Sequence, residues 1–179
     1  MKKILVIRND KIGDFMLAWP SFAMLKASLP ECHITALVPN YTVALARLCP
    51  WIDSVITDVG KGADKQQQKQ LLEQIRNERF NASINLFSTT YNAKLVWKGN
   101  IPYRLAPATK LAQVFYNKRI KQKRSQSAKP EFEYNLDLIR AFLNDIGSNI
   151  VETAGPYLSF ESEKLEQQKS KLAQQLGLD

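Results

Sequence analysis

The residues best suited to chemistry stand in one run, Arg8-Asn9-Asp10-Lys11-Ile12-Gly13-Asp14. A carboxylate held at a helix entrance in a cleft can take the proton of a hydroxyl nucleophile as a general base. The same carboxylate can cap the helix instead. On spacing alone Asp14 is open to both readings. Asp10 reads as a turn residue bonding its own backbone. Lys11 can meet an anionic substrate or be a plain surface lysine. Gly13 is expected to let the chain turn sharply ahead of Asp14.

A second group of candidates is cationic. The net charge of +8 is unevenly spread: between Arg79 and Pro130 the chain carries eleven basic residues and no Asp or Glu. They are Arg79, Lys94, Lys98, Arg104, Lys110, Lys118, Arg119, Lys121, Lys123, Arg124 and Lys129. Such a block raises the local concentration of anionic ligands. Arg104, Lys118 and Arg119 are candidates for phosphate or carboxylate contacts, because a guanidinium pairs with such groups bidentately. The plain alternative is a solvated basic loop. Ser88, Thr89 and Thr90 could bond sugar hydroxyls, although capping the next helix is the simpler role.

Other chemistries lack their residues. His33 is the one histidine and has no Cys, His or acidic partner at metal-ligand spacing, so it reads as structural and no metal site is expected. No Gly-x-Gly-x-x-Gly follows the first strand and there is no Walker loop, so no nucleotide cofactor cradle is expected. Cys32 and Cys49 read as reduced thiols. No stretch has the apolar length of a membrane span, and the N-terminus runs straight into a strand. A cytoplasmic protein is expected.

These residues need elements to position them, and the sequence supplies alternating strands and helices. Strands are expected over Lys2–Arg8, His33–Val38, Ser54–Thr57, Ala82–Phe87 and Tyr103–Ala106. Helices are expected over Phe15–Ser28, Tyr41–Leu48, Lys65–Glu78, Tyr91–Lys98, Phe132–Asp145 and Ser162–Leu176, with Pro20 loosening the first. Tyr116–Pro130 reads as a mobile polar loop. The alternation implies an α/β fold with a Rossmann-like, doubly wound parallel sheet. The loop 8–14 then lies at the carboxyl end of the first strand, where such sheets place ligands.

The segment Lys3 to Asp53 resembles the N-terminal domain of the ADP-heptose:lipopolysaccharide heptosyltransferases, which are two-Rossmann-domain (GT-B) glycosyltransferases of family 9. The carrying residues are Ile4-Leu5-Val6-Ile7-Arg8, the loop Asp10-Lys11-Ile12-Gly13-Asp14, Trp19-Pro20, Phe22-Ala23-Met24-Leu25-Lys26 and the strand His33 to Val38. Cys49-Pro50-Trp51-Ile52-Asp53-Ser54-Val55-Ile56 matches the family's step into its third strand, and Tyr134 to Ile139 its helix before the domain crossover.

The resemblance implies an acceptor-binding domain over residues 1–158. It also implies a helical bridge over 159–179, toward a donor-binding domain that the chain lacks. It implies transfer of heptose from an ADP-heptose donor to the anionic inner core of lipopolysaccharide, at the cytoplasmic face of the inner membrane with peripheral membrane contact. The family's Gly-Asp match makes Asp14 the base. Lys11, Arg104, Lys118 and Arg119 stay candidates for the acceptor contacts on their charge, and the half chain alone is expected to be inactive. Two other readings compete. One is a basic α/β module gripping nucleic acid with Lys94 to Lys129, although aromatics are not interleaved there and no RNA-binding motif appears. The other is a pseudo-enzyme or gene remnant.

Overall fold

The computed structural model describes residues 2–108 and 111–177. Six strands form one parallel sheet: β1 (Lys3–Ile7), β2 (His33–Pro39), β3 (Ser54–Asp58), β4 (Ala82–Asn85), β5 (Tyr103–Pro107) and β6 (Lys118–Ile120). Their order is β3-β2-β1-β4-β5-β6. The first strand is therefore central. The order reverses between β1 and β4, and a crevice opens there at the carboxyl ends of the strands.

Strand alternation explains the two-faced core. Ile4 and Val6 of β1 join Ile34, Ala36 and Val38 of β2 on one face, under Phe15, Trp19, Phe22, Leu138 and Phe142. Leu5, Ile7 and Leu37 point to the other face, against Leu71, Ile75, Val96 and Ile101. Both faces of the sheet are covered, which is why these strands read as continuous apolar runs rather than as alternating ones.

The helices are α1 (Ile12–Met16), α2 (Trp19–Ser28), α3 (Val43–Leu48), α4 (Lys65–Glu78), α5 (Thr90–Lys98), α6 (Glu131–Asp145) and α7 (Ser162–Leu176). Two details differ from expectation. The first helix is two helices, broken at Leu17-Ala18, and Pro20 sits in the opening turn of α2. A proline is accommodated there because that turn's N–H groups have no helical partner. The segment expected to be a mobile loop, Tyr116–Pro130, instead holds β6 and a short 3-10 turn over Arg124–Gln126. Three things tie it down: the parallel ladder of β6 on β5, the bond from Gln122 Nε2 to the Tyr134 carbonyl (2.6 Å), and the bond from the Tyr134 hydroxyl to the Lys123 carbonyl (3.1 Å).

Candidate functional site

Arg8 follows β1 directly and is the hub of the crevice. Its side chain is 3 % exposed, yet it meets three carboxylates. Nε lies 2.9 Å from Asp10 Oδ1, an ion pair too bent to count as a hydrogen bond. Nη2 lies 3.1 Å from Asp14 Oδ1, and Nη1 lies 3.2 Å from Glu131 Oε1. Nη1 also donates to Asn135 Oδ1 and to the Leu86 carbonyl, both at 3.3 Å. Glu131 and Asn135 stand four residues apart, so α6 presents both on one face. Arg124, from the segment after β6, donates to the same Glu131 oxygen.

Asp14 is the third residue of α1. The residue before that helix, Lys11, makes no side-chain cap bond. The helix begins two residues before Asp14, so the alternative role expected of it, the N-cap, belongs to another position. Its carboxylate pairs with Arg8 and keeps 34 % of its side-chain surface open. Gly13 lies inside α1 with an ordinary negative φ, and a Cβ there would meet nothing within 4 Å. The sharp turn expected of it is absent. Asp10 is more enclosed, at 13 % side-chain exposure. Burial raises its proton affinity above the usual carboxylate value; Arg8 pulls it back and the nearby Asp14 pushes it further up.

A second polar cluster flanks the hub. Asn9 donates to Asp58 Oδ2 (2.6 Å) and exchanges bonds with Asn92 (2.8 Å each way). Asp58 Oδ1 also accepts from the Tyr91 hydroxyl (2.7 Å) and the Gly60 N–H (3.1 Å). Tyr91 is accordingly held protonated, its affinity raised by burial and then by Asp58. These residues, with Lys61, Phe87, Thr89 and Thr90, line a hollow of about 490 Å³ at the carboxyl edge of the sheet. Thr89 caps α5 by accepting from the Asn92 N–H (3.1 Å).

The cationic candidates divide by position. Lys11 is exposed beside Asp14. Arg104 is the second residue of β5 and Lys118 the first of β6, and both are tied into the fold. The Arg104 guanidinium is bound to the carbonyls of Phe115 (2.8 Å) and Ile101 (2.6 Å), and Lys118 pairs with Asp145 (3.0 Å). Neither is brought to Asp14. Arg119 is exposed in the middle of β6, and Lys121 and Lys123 are exposed just past its carboxyl end. Lys129 pairs with Asp137. Lys110, which belongs to the basic block, lies outside the described residues, as do Leu178 and Asp179 at the end of the expected bridge.

His33 shares a 2.8 Å bond with the Ser54 hydroxyl. Among the described residues no group of His, Cys, Asp and Glu could hold a metal ion. The sequence reading named Arg8 in the loop run and Arg124 in the basic block but gave neither a part beside Asp14, and it missed Glu131 and Asn135. One signal was available: an arginine closing a continuous apolar strand must find partners.

No family model matches the chain. The chain is 54% identical over 178 residues to a putative glycosyltransferase of Haemophilus influenzae, a match covering 99% of this chain and 51% of that protein. Its fold matches the glycosyl transferase family 9 structure from Veillonella parvula with a TM-score of 0.81 at 20% identity, covering 99% of this chain and 51% of that one. It also matches E. coli heptosyltransferase WaaC solved with ADP-2-deoxy-2-fluoro heptose, with a TM-score of 0.72 at 16% identity over 87% of this chain and 51% of that one. The chain spans about half the length of these proteins. The resemblance to family 9 heptosyltransferases read from the strands and the Gly-Asp loop therefore stands, and so does the Rossmann-like fold.

Proposed function

We propose that this chain is the acceptor-side half of a family 9 glycosyltransferase, with Asp14 as the base that deprotonates the acceptor hydroxyl. One observation carries the reading: Asp14 presents a part-exposed carboxylate beside the sheet's reversal point, fixed by a buried arginine. In an inverting transfer the acceptor oxygen attacks the anomeric carbon as the bond to the nucleotide diphosphate breaks, and its proton passes to Asp14. The donor is ADP-heptose, by likeness to the E. coli enzyme whose structure holds its fluoro analogue.

The acceptor is the inner core of lipopolysaccharide. Its acidic groups meet exposed cations at the carboxyl edge: Lys11, and Lys121 and Lys123 beyond β6, with Arg119 beside them. Arg104, bonded to the Phe115 and Ile101 carbonyls, and Lys118, paired with Asp145, act in the fold. The hollow around Asp58 and Asn92 offers amide, hydroxyl and aromatic groups suited to a sugar ring.

Residues 1–158 form the acceptor domain, and 159–179 lead toward a donor domain. Helix α7 has no buried residue, and Leu165, Leu172 and Leu176 line up along it in the open. No helix among the described residues is long and apolar enough to cross a membrane. The work site is the cytoplasmic face of the inner membrane, reached by peripheral contact.

The test is transfer by a fusion in which this chain replaces the matching 178 residues of the Haemophilus protein. The fusion should move heptose from ADP-heptose to inner-core acceptor. Asp14→Asn should slow it by about two to four orders of magnitude, the range for a lost general base. A fusion equally fast with Asn at that position would remove Asp14 from the chemistry.

A further inference from the structure

The arrangement around Arg8 is unusual for a purely structural ion pair. One buried guanidinium serves three carboxylates from two separate parts of the chain, and one of those carboxylates is served by a second arginine. For stability alone, such a buried network gains little over a well-packed apolar substitute. Its members also come from distinct places: Arg8 from the end of β1, Asp10 and Asp14 from the following loop and α1, Glu131 from the first turn of α6, Arg124 from the segment after β6. They converge on Arg8, which holds the part-exposed Asp14 carboxylate.

We propose that Arg8 is the positioning residue of this site: it fixes the Asp14 carboxylate over the crevice, while Glu131 competes for the same guanidinium and Arg124 sets how strongly by holding Glu131. The inference rests on the reading of Asp14 as the base for its use, but not for its test.

The geometry gives each group a distinct part. The planar fork of Arg8 meets Asp10 beside Nε, Asp14 beside Nη2 and Glu131 beside Nη1, so each carboxylate faces its own nitrogen. A lysine ammonium would supply the charge without those directions. Asn135 and the Leu86 carbonyl share Nη1 and fix the plane of the guanidinium. Glu131 Oε1 accepts from both arginines. When Arg124 holds that oxygen, more of Arg8's charge is left for Asp10 and Asp14. The segment carrying Arg124 also carries the exposed Lys123 and Lys121. An anion drawn to those lysines therefore lands on the segment that holds Glu131.

The groups facing Asp10 and Asp14 are thus Arg8 from β1, Glu131 from α6, Arg124, which acts on Asp10 directly as well as through Glu131, and Tyr41, whose hydroxyl donates to the Asp10 carbonyl. Lys11 stands at the solvent side.

The experiment is NMR on the chain itself, at a pH where it is folded, with thermal melting as the control for folding. Two readouts are used: the rotamer state of the Asp14 methylene, from its side-chain couplings, and the acid titration midpoint of the Asp10 carboxyl. In the wild type Asp14 should occupy one rotamer. In Arg8→Lys it should average over several. Glu131→Gln should leave Asp14 locked and lower the Asp10 midpoint by about half a pH unit or more, because one competing anion is gone. Arg124→Gln should raise that midpoint, because a cation near Asp10 is lost and Glu131 then draws more heavily on Arg8.

The two glutamine variants carry the test if Arg8→Lys does not fold. An Asp10 midpoint unmoved in both, with melting near wild type, would make the cluster a passive tie and overturn the proposal. So would a locked Asp14 in folded Arg8→Lys. Neither readout needs transfer, so inactivity of Asp14→Asn and failure of Arg8 as positioning residue are separate results.

Discussion

At Asp10 burial outweighs the adjacent guanidinium, and at Asp145 the partners win. The two aspartates should therefore shift stability with pH in opposite directions. Asp10 binds its proton more tightly folded than unfolded. Relative to Asp10→Asn, wild-type stability should fall as pH rises from 3.8 through the raised folded value. Asp145 accepts from Lys118 and from the Tyr103 hydroxyl, which hold it below its ordinary range. Relative to Asp145→Asn, the wild type should be favoured above that range and lose the advantage as pH falls through the lowered value. Asp145 is largely exposed, so its effect should be the smaller one. Urea unfolding of the three proteins between pH 3 and 7 reads both slopes, and parallel slopes would contradict this account of Asp10. Gly13→Ala gives a third test at this scale. With an ordinary helical backbone and open space for a Cβ, it should keep stability or gain up to about 1 kcal/mol. A marked loss in urea midpoint would mean that the backbone there is strained after all. At residue scale the sequence made Asp14 legible, through its place after a strand and its match to a family loop. Arg8 was harder to see. The partners that give it meaning, Glu131 and Asn135, lie more than 120 positions away, and no local spacing reports them.

Strands β1 to β5 could be read from their apolar runs, because parallel strands covered on both faces leave that mark. Strand β6 could not. Lys118-Arg119-Ile120 is three residues long, lies at the sheet edge, and carries the charges that protect an edge from pairing with other chains. The break between α1 and α2 was equally hidden: Phe15, Ala18, Trp19 and Phe22 keep helical spacing across it, and all four are buried. This has a consequence for the basic segment, where Lys118 and Arg124 are engaged by Asp145 and Glu131 while Arg119, Lys121 and Lys123 are exposed. Changing Arg119, Lys121 and Lys123 to Gln should weaken binding of an acidic saccharide. The loss should shrink as salt rises, since exposed charges are screened over roughly 8 Å at physiological ionic strength. Melting should hardly change. Changing Lys118 and Arg124 to Gln should lower the melting temperature instead. Affinity at low and high salt, with melting curves for both sets, checks this. Equal affinity in the first set at low salt would reduce those cations to a solvated face.

For the whole molecule, one Rossmann-like sheet matches half of each protein it resembles, and the Arg8 and Asp58 clusters lie at the carboxyl ends of β1 and β3. In the proposed division of labour this half holds the acceptor and presents the base, while the nucleotide belongs to the other half. No Gly-x-Gly-x-x-Gly follows β1; Asp10 in the loop and Asp14 in α1 stand there instead. The most direct test is calorimetric titration of the purified chain with three probes under one low-salt buffer: inner-core lipopolysaccharide oligosaccharide, ADP and single-stranded RNA. The account predicts saturable binding of the oligosaccharide, weakened by salt and by neutralising Lys121 and Lys123, with little heat from ADP. Tight binding of ADP or RNA with none of the oligosaccharide would contradict it.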